Sequence, residues 1–492
     1  MSVAAPAQAV PTPSIAEGSP ERSSRLDWLR ERGMGATVLV SAISTAFGVV
    51  LLTTTGYLGT WLNNDPYVGG GETVAIVVGI LSVLLVAVAV YVGAIVTANT
   101  FATIIAGRTR RIALMRLIGA SARSQRTVVA RQGLIVGAIG ALVGLVLGVA
   151  LAFGVIAVGQ NVLGLTVDYG VAQPVLLLPA VVVVLTTWAA AWAGSRRVLS
   201  VTPLQALGGS VERSSDDVGS SRARRSFALV LFVVGAVVLA LGILAGLATP
   251  LGVIVAFFGG LASFTGLTLG AAIVMPPLLR ATGRLFGRSA EARLAAENAL
   301  RYPERSSRMA IGVVMGVALV TMFAVANESV KSLIAASGGG ELPTEMARVL
   351  DTFATIMMAL VGVSAVIAAV GLVNLLTIGV VQRRRELGLL RALGLTGAGV
   401  RRVVLLEATH VTLTSLVFGL LLGTAYGWVA AQSLLGSVPI PPLWQAPTFV
   451  APAMPWVTIA VVVAATAVLT LIAAVVPTRL ATRVAPVEAL AE

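Results

Sequence analysis

Two basic segments carry the residues best suited to recognition chemistry: RTRRIALMRLIGAS at 108–121 and RRRELGLLRALGLT at 383–396. Arg108, Arg110 and Arg116 punctuate the first. Arg383, Arg385 and Arg391 punctuate the second, where Glu386 is the lone acid. Leu114 and Met115, then Leu389 and Leu390, recur at helix-compatible spacing, and Gly119 and Gly394 supply stop signals. A short basic and apolar helix of this kind has two uses. It can dock on a protein, or it can lie on anionic lipid held by its arginines. The residue types fit both equally.

Few other side chains offer chemistry. The chain has no cysteine, which excludes disulfides, thiol catalysis and cysteine-ligated metals. Its only histidine, His410, cannot build a histidine-based metal cluster. The only lysine, Lys331, lies in Glu-Ser-Val-Lys-Ser and not after the glycines of a phosphate-binding loop. No catalytic constellation is visible. Four of the polar residues inside apolar stretches could make specific contacts. Asn99 and Asn374 read first as helix–helix hydrogen bonds, with substrate contact as the alternative. Glu407 and His410, one turn apart, are expected to pair structurally, with a proton relay as the alternative.

The elements that must position these residues are membrane helices. Hydrophobic residues make up 57% of the chain and charged residues 11%, against roughly 25% charged in soluble domains. Apolar windows predict spans near 35–57, 74–100, 132–158, 172–194, 227–247, 251–275, 309–331, 352–380, 403–433 and 453–476. The expected fold is therefore an all-α polytopic membrane protein of about ten helices. The 227–275 pair leaves a hairpin or a partly re-entrant segment open. Trp188 and Trp192 are expected to serve packing.

Charge sets the orientation. Arginines crowd 106–131, 195–225, 280–308, 382–402 and 479–483, while the intervening loops hold Asp65 and Glu72, then Asp168, then a mixed set of Glu328, Lys331, Glu341, Glu345 and Arg348. Positive-inside placement predicts both termini in the cytoplasm and a multi-pass protein of a bacterial inner membrane. The net charge of +13 is thus juxtamembrane charge, and nucleic acid is not an expected partner. The expected outward loops are short; the longest runs over roughly 332–351.

The chain also repeats itself at an offset of 275. Arg108 falls on Arg383, Arg110 on Arg385, Arg116 on Arg391, Gly119 on Gly394, Gly144 on Gly419 and Gly148 on Gly423. Each unit has four spans in one orientation, which makes a parallel repeat. The expected organisation is a cytoplasmic N-terminus (1–30), a first four-helix unit (31–207) and a linker (208–226). A two-helix connector (227–278), a cytoplasmic amphipathic segment (279–308) and a second four-helix unit (309–492) complete it.

The motif RRRELGLLRALG (383–394) and the stretch AENALRYPERSSRMA (296–310) resemble the FtsX-like permease family of ABC transporters. The first unit is more diverged, with Arg111 where the second has Glu386. The four-two-four layout resembles the ten-span permeases of bacitracin-type resistance systems, which carry a large extracellular domain that 332–351 is too short to hold. The resemblance implies that both basic segments are coupling helices docked on a separate ATPase subunit, present in two copies. ATP and Mg would be bound in that partner, and this chain would hold no cofactor and be no enzyme by itself. The amphipathic stretches with Trp28, Leu29, Leu300 and Tyr302 would lie along the inner interface. The implied function is movement of a lipophilic or amphipathic substrate, by export or extraction. The alternative is mechanical control of an envelope partner, such as a cell-wall hydrolase or a lipoprotein, without transport.

Overall fold

Three glycines spaced four apart, Gly140, Gly144 and Gly148, present one bare stripe of helix surface. In lipid, where burial of apolar surface gives little gain, such stripes let helices approach closely enough for dispersion to hold them. The computed structural model describes residues 34–64, 121–161, 167–171, 173–200, 222–285, 289–301, 303–337, 394–439 and 445–483. Single helical positions between 79 and 95 and at 389 are also described.

Helix α1 (Met34–Asn64) runs parallel to α2 (Ala122–Asn161) along that stripe. Gly140 meets Ser41, Gly144 meets Ala42 and Thr45, and Gly148 meets Ala46 and Val49. A short 3-10 turn, Pro174–Leu176, leads into α3 (Leu177–Ser200), which closes the trio. Its Pro179 fits against Gly48 and its Thr187 against Gly137.

The same crossing recurs later in the chain. Helix α8 (Pro303–Ser337) runs parallel to α9 (Gly397–Leu435), whose stripe is Gly419, Gly423 and Gly427. Gly419 meets Val317, Gly423 meets Ala318 and Thr321, and Gly427 meets Met322 and Val325. Ala46 on Gly148 and Thr321 on Gly423 are one contact, displaced by 275 on both helices. Helix α10 (Trp456–Arg483) packs on α9.

Between these groups lies a hairpin of α4 (Arg222–Gly246) and α5 (Gly252–Leu269). Each helix is long and apolar enough to cross a membrane. Its glycines are seven apart, two helical turns, and therefore share a face. Gly235 lies on Ser263, Gly242 on Ala256, Gly259 on Leu239 and Gly266 on Phe232. The expected span 251–275 is not one helix. It breaks at Gly270 and continues as α6 (Ala271–Gly283). Pro276 and Pro277 sit inside α6 and remove the amides that Ala272 and Ile273 carbonyls would otherwise accept.

Helix α7 (Ala290–Arg301) comes next, and Pro303 opens α8 at the first-turn position that proline tolerates. The buried face of α7 is Ala292, Ala295 and Ala299, against α9 and α6, while Arg293, Glu297 and Arg301 point outward. An amphipathic helix expected to rest its apolar face on lipid thus rests much of it on protein.

Among the described residues no strand forms, and seven helices are long and apolar enough to cross a membrane: α1 to α5, α8 and α9. The chain is an all-α polytopic membrane protein. The expected spans 74–100 and 352–380 lie outside the described residues, single positions of the former excepted. Burial separates inner from outer helices. The spanning window of α1 is 78% buried and that of α8 72%, against 17% for α4. Phe227, Val230, Val237 and Leu241 of α4 instead face outward, where lipid would cover them.

Candidate functional site

The two matched basic segments each deliver the chain into a long helix, and the two junctions can be compared atom by atom. Gly394 has φ +101°, the left-handed conformation that ends helices and that a side chain would strain. Two residues on, Thr396 caps α9, its Oγ1 accepting the Gly399 N–H at 3.1 Å. In the first unit Ser121 Oγ accepts the Ser124 N–H, also at 3.1 Å, at the start of α2. Ser121 and Ser124 are displaced by 275 from Thr396 and Gly399. Both junctions are thus hydroxyl-capped at the same repeat position.

The helix beyond each cap is unusually long. At 1.5 Å per residue, the 39 residues of α9 span about 58 Å, and a hydrocarbon core is about 30 Å thick. Helix α2, with 40 residues, is similar. Both therefore extend well beyond the apolar layer at the arginine-rich end. Arg123 and Arg131 on α2, and Arg401 and Arg402 on α9, are exposed there. Arg126 stacks its guanidinium over the Trp192 ring of α3, 4.1 Å from the centroid, so Trp192 does more than fill space.

Of the residues expected to meet an ATPase, Leu389 and Gly394 are described. Leu389 is helical and exposed. Arg108, Arg110, Leu114, Met115, Arg116, Gly119, Arg383, Arg385, Glu386, Leu390 and Arg391 lie outside the described residues, as do Asn99 and Asn374.

Glu407 and His410 are both buried in α9, His410 to 1% exposure. The imidazole Nε2 lies 2.8 Å from the Leu279 carbonyl and 3.1 Å from Thr282 Oγ1, both on α6. A carbonyl only accepts, so Nε2 carries the proton and donates it. Thr282 also lies 2.6 Å from Thr414 Oγ1, and Thr414 donates to the His410 carbonyl at 2.8 Å. This histidine ties two helices together, a partnership that sequence spacing could not reveal because α6 lies some 130 residues earlier.

The far end of α9 is closed by the chain at 445–455. Trp428 Nε1 donates to the Val450 carbonyl at 3.0 Å. The Gln432 amide donates to the Thr448 carbonyl at 2.8 Å and accepts the Val450 N–H at 2.7 Å. Ser329 Oγ of α8 accepts the Ala453 N–H at 3.0 Å. Polar residues within apolar runs were the available signal for Trp428 and Gln432.

The FtsX-like permease C-terminal family model matches residues 83–199 and 358–486, together half of the chain, and the two matches begin 275 residues apart. The chain belongs to the FtsX-like permease family. A protein of Bacillus subtilis (strain 168), named as an uncharacterized ABC transporter permease, YknZ, is 28% identical over 105 residues. That alignment covers 21% of this chain and 26% of the relative, so the chain spans about a quarter of that protein's length. In this FtsX-like permease, the second match takes in the segment 383–394, Gly394 and the whole of α9; the first takes in 108–121, α2 and nearly all of α3.

The caps give a direct test of how firmly each segment is joined to its helix. Ser121→Ala and Thr396→Ala should each cost about 1 kcal/mol locally, or roughly fivefold faster amide exchange. Hydrogen exchange over 122–125 and 397–400 reads this, and unchanged exchange in either variant would show that its cap is idle.

Proposed function

We propose that this FtsX-like permease is the membrane-spanning subunit of an ABC transporter that moves a lipophilic or amphipathic molecule by export or extraction. ATP is bound and hydrolysed by a separate ATPase chain, two copies of which dock on the segments 108–119 and 383–394. The observation that supports this most is the matched pair of capped junctions, Ser121 into α2 and Thr396 into α9. A short element closed by a glycine and joined through a cap to a helix of about 58 Å is built to hand a push at one end to the whole bundle. Arg383, Arg385, Glu386, Leu389, Leu390 and Arg391 make the docking surface of the second unit, with Gly394 as its stop. Arg108, Arg110, Leu114, Met115, Arg116 and Gly119 make that of the first. Both termini lie on the ATPase side, a placement that the arginine-rich loops support. Substrate is met in the bilayer, in a cleft between units near α1, α8 and the spans 74–100 and 352–380.

Affinity purification of the full chain from its own membranes should bring down an ATPase subunit. The purified complex in nanodiscs should hydrolyse ATP faster when amphipathic or lipid-like candidates are added. Recovery of the ATPase without stimulation by any of them, together with co-purification of an envelope hydrolase, would replace transport by mechanical signalling. Recovery of no ATPase would sink both readings.

A further inference from the structure

The connector hairpin and α6, which continues it, touch α9 at three heights, one by close backbone packing and two by hydrogen bonds. At the far end, Gly246 of α4 lies directly on the backbone of Ser433, where a Cβ would stand 2.5 Å from its Cα, and the Gly246 carbonyl lies against Gly436. Midway, Ser263 Oγ of α5 lies 2.5 Å from the Tyr426 hydroxyl. At the arginine-rich end, Leu279 and Thr282 of α6 bond His410 and Thr414, and Gly283 abuts the imidazole. The hairpin itself is stiff, because α4 and α5 interlock through glycines on both sides. Buried hydrogen bonds between side chains on facing helices are worth about 0.6 kcal/mol each on average in a membrane, with a maximum near 1.7. Hydrogen bonds at two separated heights, with the close packing at Gly246 as a third point, resist tilt as well as sliding, which one bond cannot do. Toward the first unit, α5 offers a different kind of contact. Tyr91 reaches Thr265 Oγ1 at 2.7 Å and sets its ring edge-on to Phe264. The same hydroxyl lies 3.3 Å from the Leu261 carbonyl, so among the described residues of span 74–100 the hydrogen bonds to α5 come from one side chain and cover one turn of the helix.

We infer that the connector is a built-in part of the second unit's moving body, clamped to α9 along its length, and that it shifts against the first unit at Tyr91. The inference rests on the proposed function for the source of the motion. A push delivered through Gly394 and Thr396 would carry α9, α6, α5 and α4 together. It would then appear at the Tyr91–Thr265 contact as a change between units. The connector, on this view, transmits the stroke of the second ATPase to the helix that leads into the first coupling segment.

The chain has no native cysteine, so three outward positions can be spin-labelled in pairs: Val83→Cys near the start of the first unit's family match, Phe258→Cys on α5 and Leu421→Cys on α9. All three side chains are exposed. Distances are measured by pulsed electron resonance in the purified complex with its ATPase, without nucleotide and trapped with ATP and vanadate. The Phe258–Leu421 distance should not change, while Val83–Leu421 and Val83–Phe258 should shift together by several ångströms. A change in Phe258–Leu421 matching that in Val83–Leu421, or a fixed Val83–Phe258 while Val83–Leu421 shifts, would overturn the clamp and leave the proposed function standing. No nucleotide-dependent change across the units, in Val83–Leu421, would count against the proposed function itself and remove the motion the clamp is inferred to carry.

Discussion

Replacing Gly423 with leucine should prevent α8 and α9 from closing on each other and should abolish recovery of monodisperse protein. The Cβ of any larger residue there would stand 2.6 Å from the Ala318 carbonyl oxygen and from the Thr321 Cβ. Neither obstacle is the tip of a flexible side chain. One is backbone of a helix that is itself mostly buried, so the helices must separate along the crossing. Extra methylenes in a packed core cost about 1–3 kcal/mol even where side chains can adjust. Separation would also forfeit the neighbouring contacts at Gly419 and Gly427. Gly144→Leu should do the same to α1 and α2, because its Cβ would meet the Ala42 carbonyl. Gly154→Ala and Gly312→Ala are the controls, since nothing lies within 4 Å of a Cβ at either position. Alanine is the better helix former by about 1 kcal/mol, so both controls should be neutral or slightly stabilising. Thermal stability followed by size-exclusion chromatography checks all four. Gly423→Leu surviving as well as Gly312→Ala would show that the glycine stripe does not hold the bundle.

Much of this architecture was legible in the sequence because membrane spans are written in long apolar runs, and seven of the ten expected spans coincide with helices that could cross a membrane. The repeat was legible for a different reason. Glycines at a close crossing cannot be exchanged for larger residues, so Gly144 with Gly419 and Gly148 with Gly423 keep their register. The first and last members, Gly140 and Gly427, went unread although four-residue spacing marked them. Helix ends were less legible. The spans 132–158 and 403–433 stop at arginines, yet α2 and α9 continue past them, because exposed turns beyond the apolar layer accept charge freely. The break at Gly270 lies inside an uninterrupted apolar stretch, where hydropathy is blind and only Pro276 and Pro277 gave notice. For His410, the sequence proposed a partner on the same helix and could not show that α6 comes alongside. The coupling residues are the opposite case. They were read from a motif, and apart from Leu389 and Gly394 they lie outside the described residues, so their role stands as a proposal.

Charge reversal of the second coupling segment should release the ATPase. The triple variant Arg383→Glu, Arg385→Glu and Arg391→Glu replaces three cations with anions on a surface where Glu386 is the only native acid. Even if each arginine contributes only about 1 kcal/mol, the sum is on the order of a hundredfold in affinity, and a hydrogen-bonded charge left unpaired at an interface costs more. Recovery of the ATPase on the tagged permease should fall to background. The equivalent reversal of Arg108, Arg110 and Arg116 should reduce recovery less, because the first segment carries Arg111 where the second has Glu386 and departs further from the family motif. A reporter fused at the C-terminus must accompany both variants, since arginines near membrane helices also set orientation and a misinserted chain would lose its partner trivially. Reversal of Arg401 and Arg402, exposed one turn into α9 beyond the cap, is the matched control for charge alone. Should that pair release the ATPase as completely as the triple variant does, attraction would depend on the general positive field of this end and not on a docked helix. Should the triple variant retain its ATPase while keeping its orientation, the segment 383–394 would revert to the other role its residue types allow, an arginine-held helix on anionic lipid.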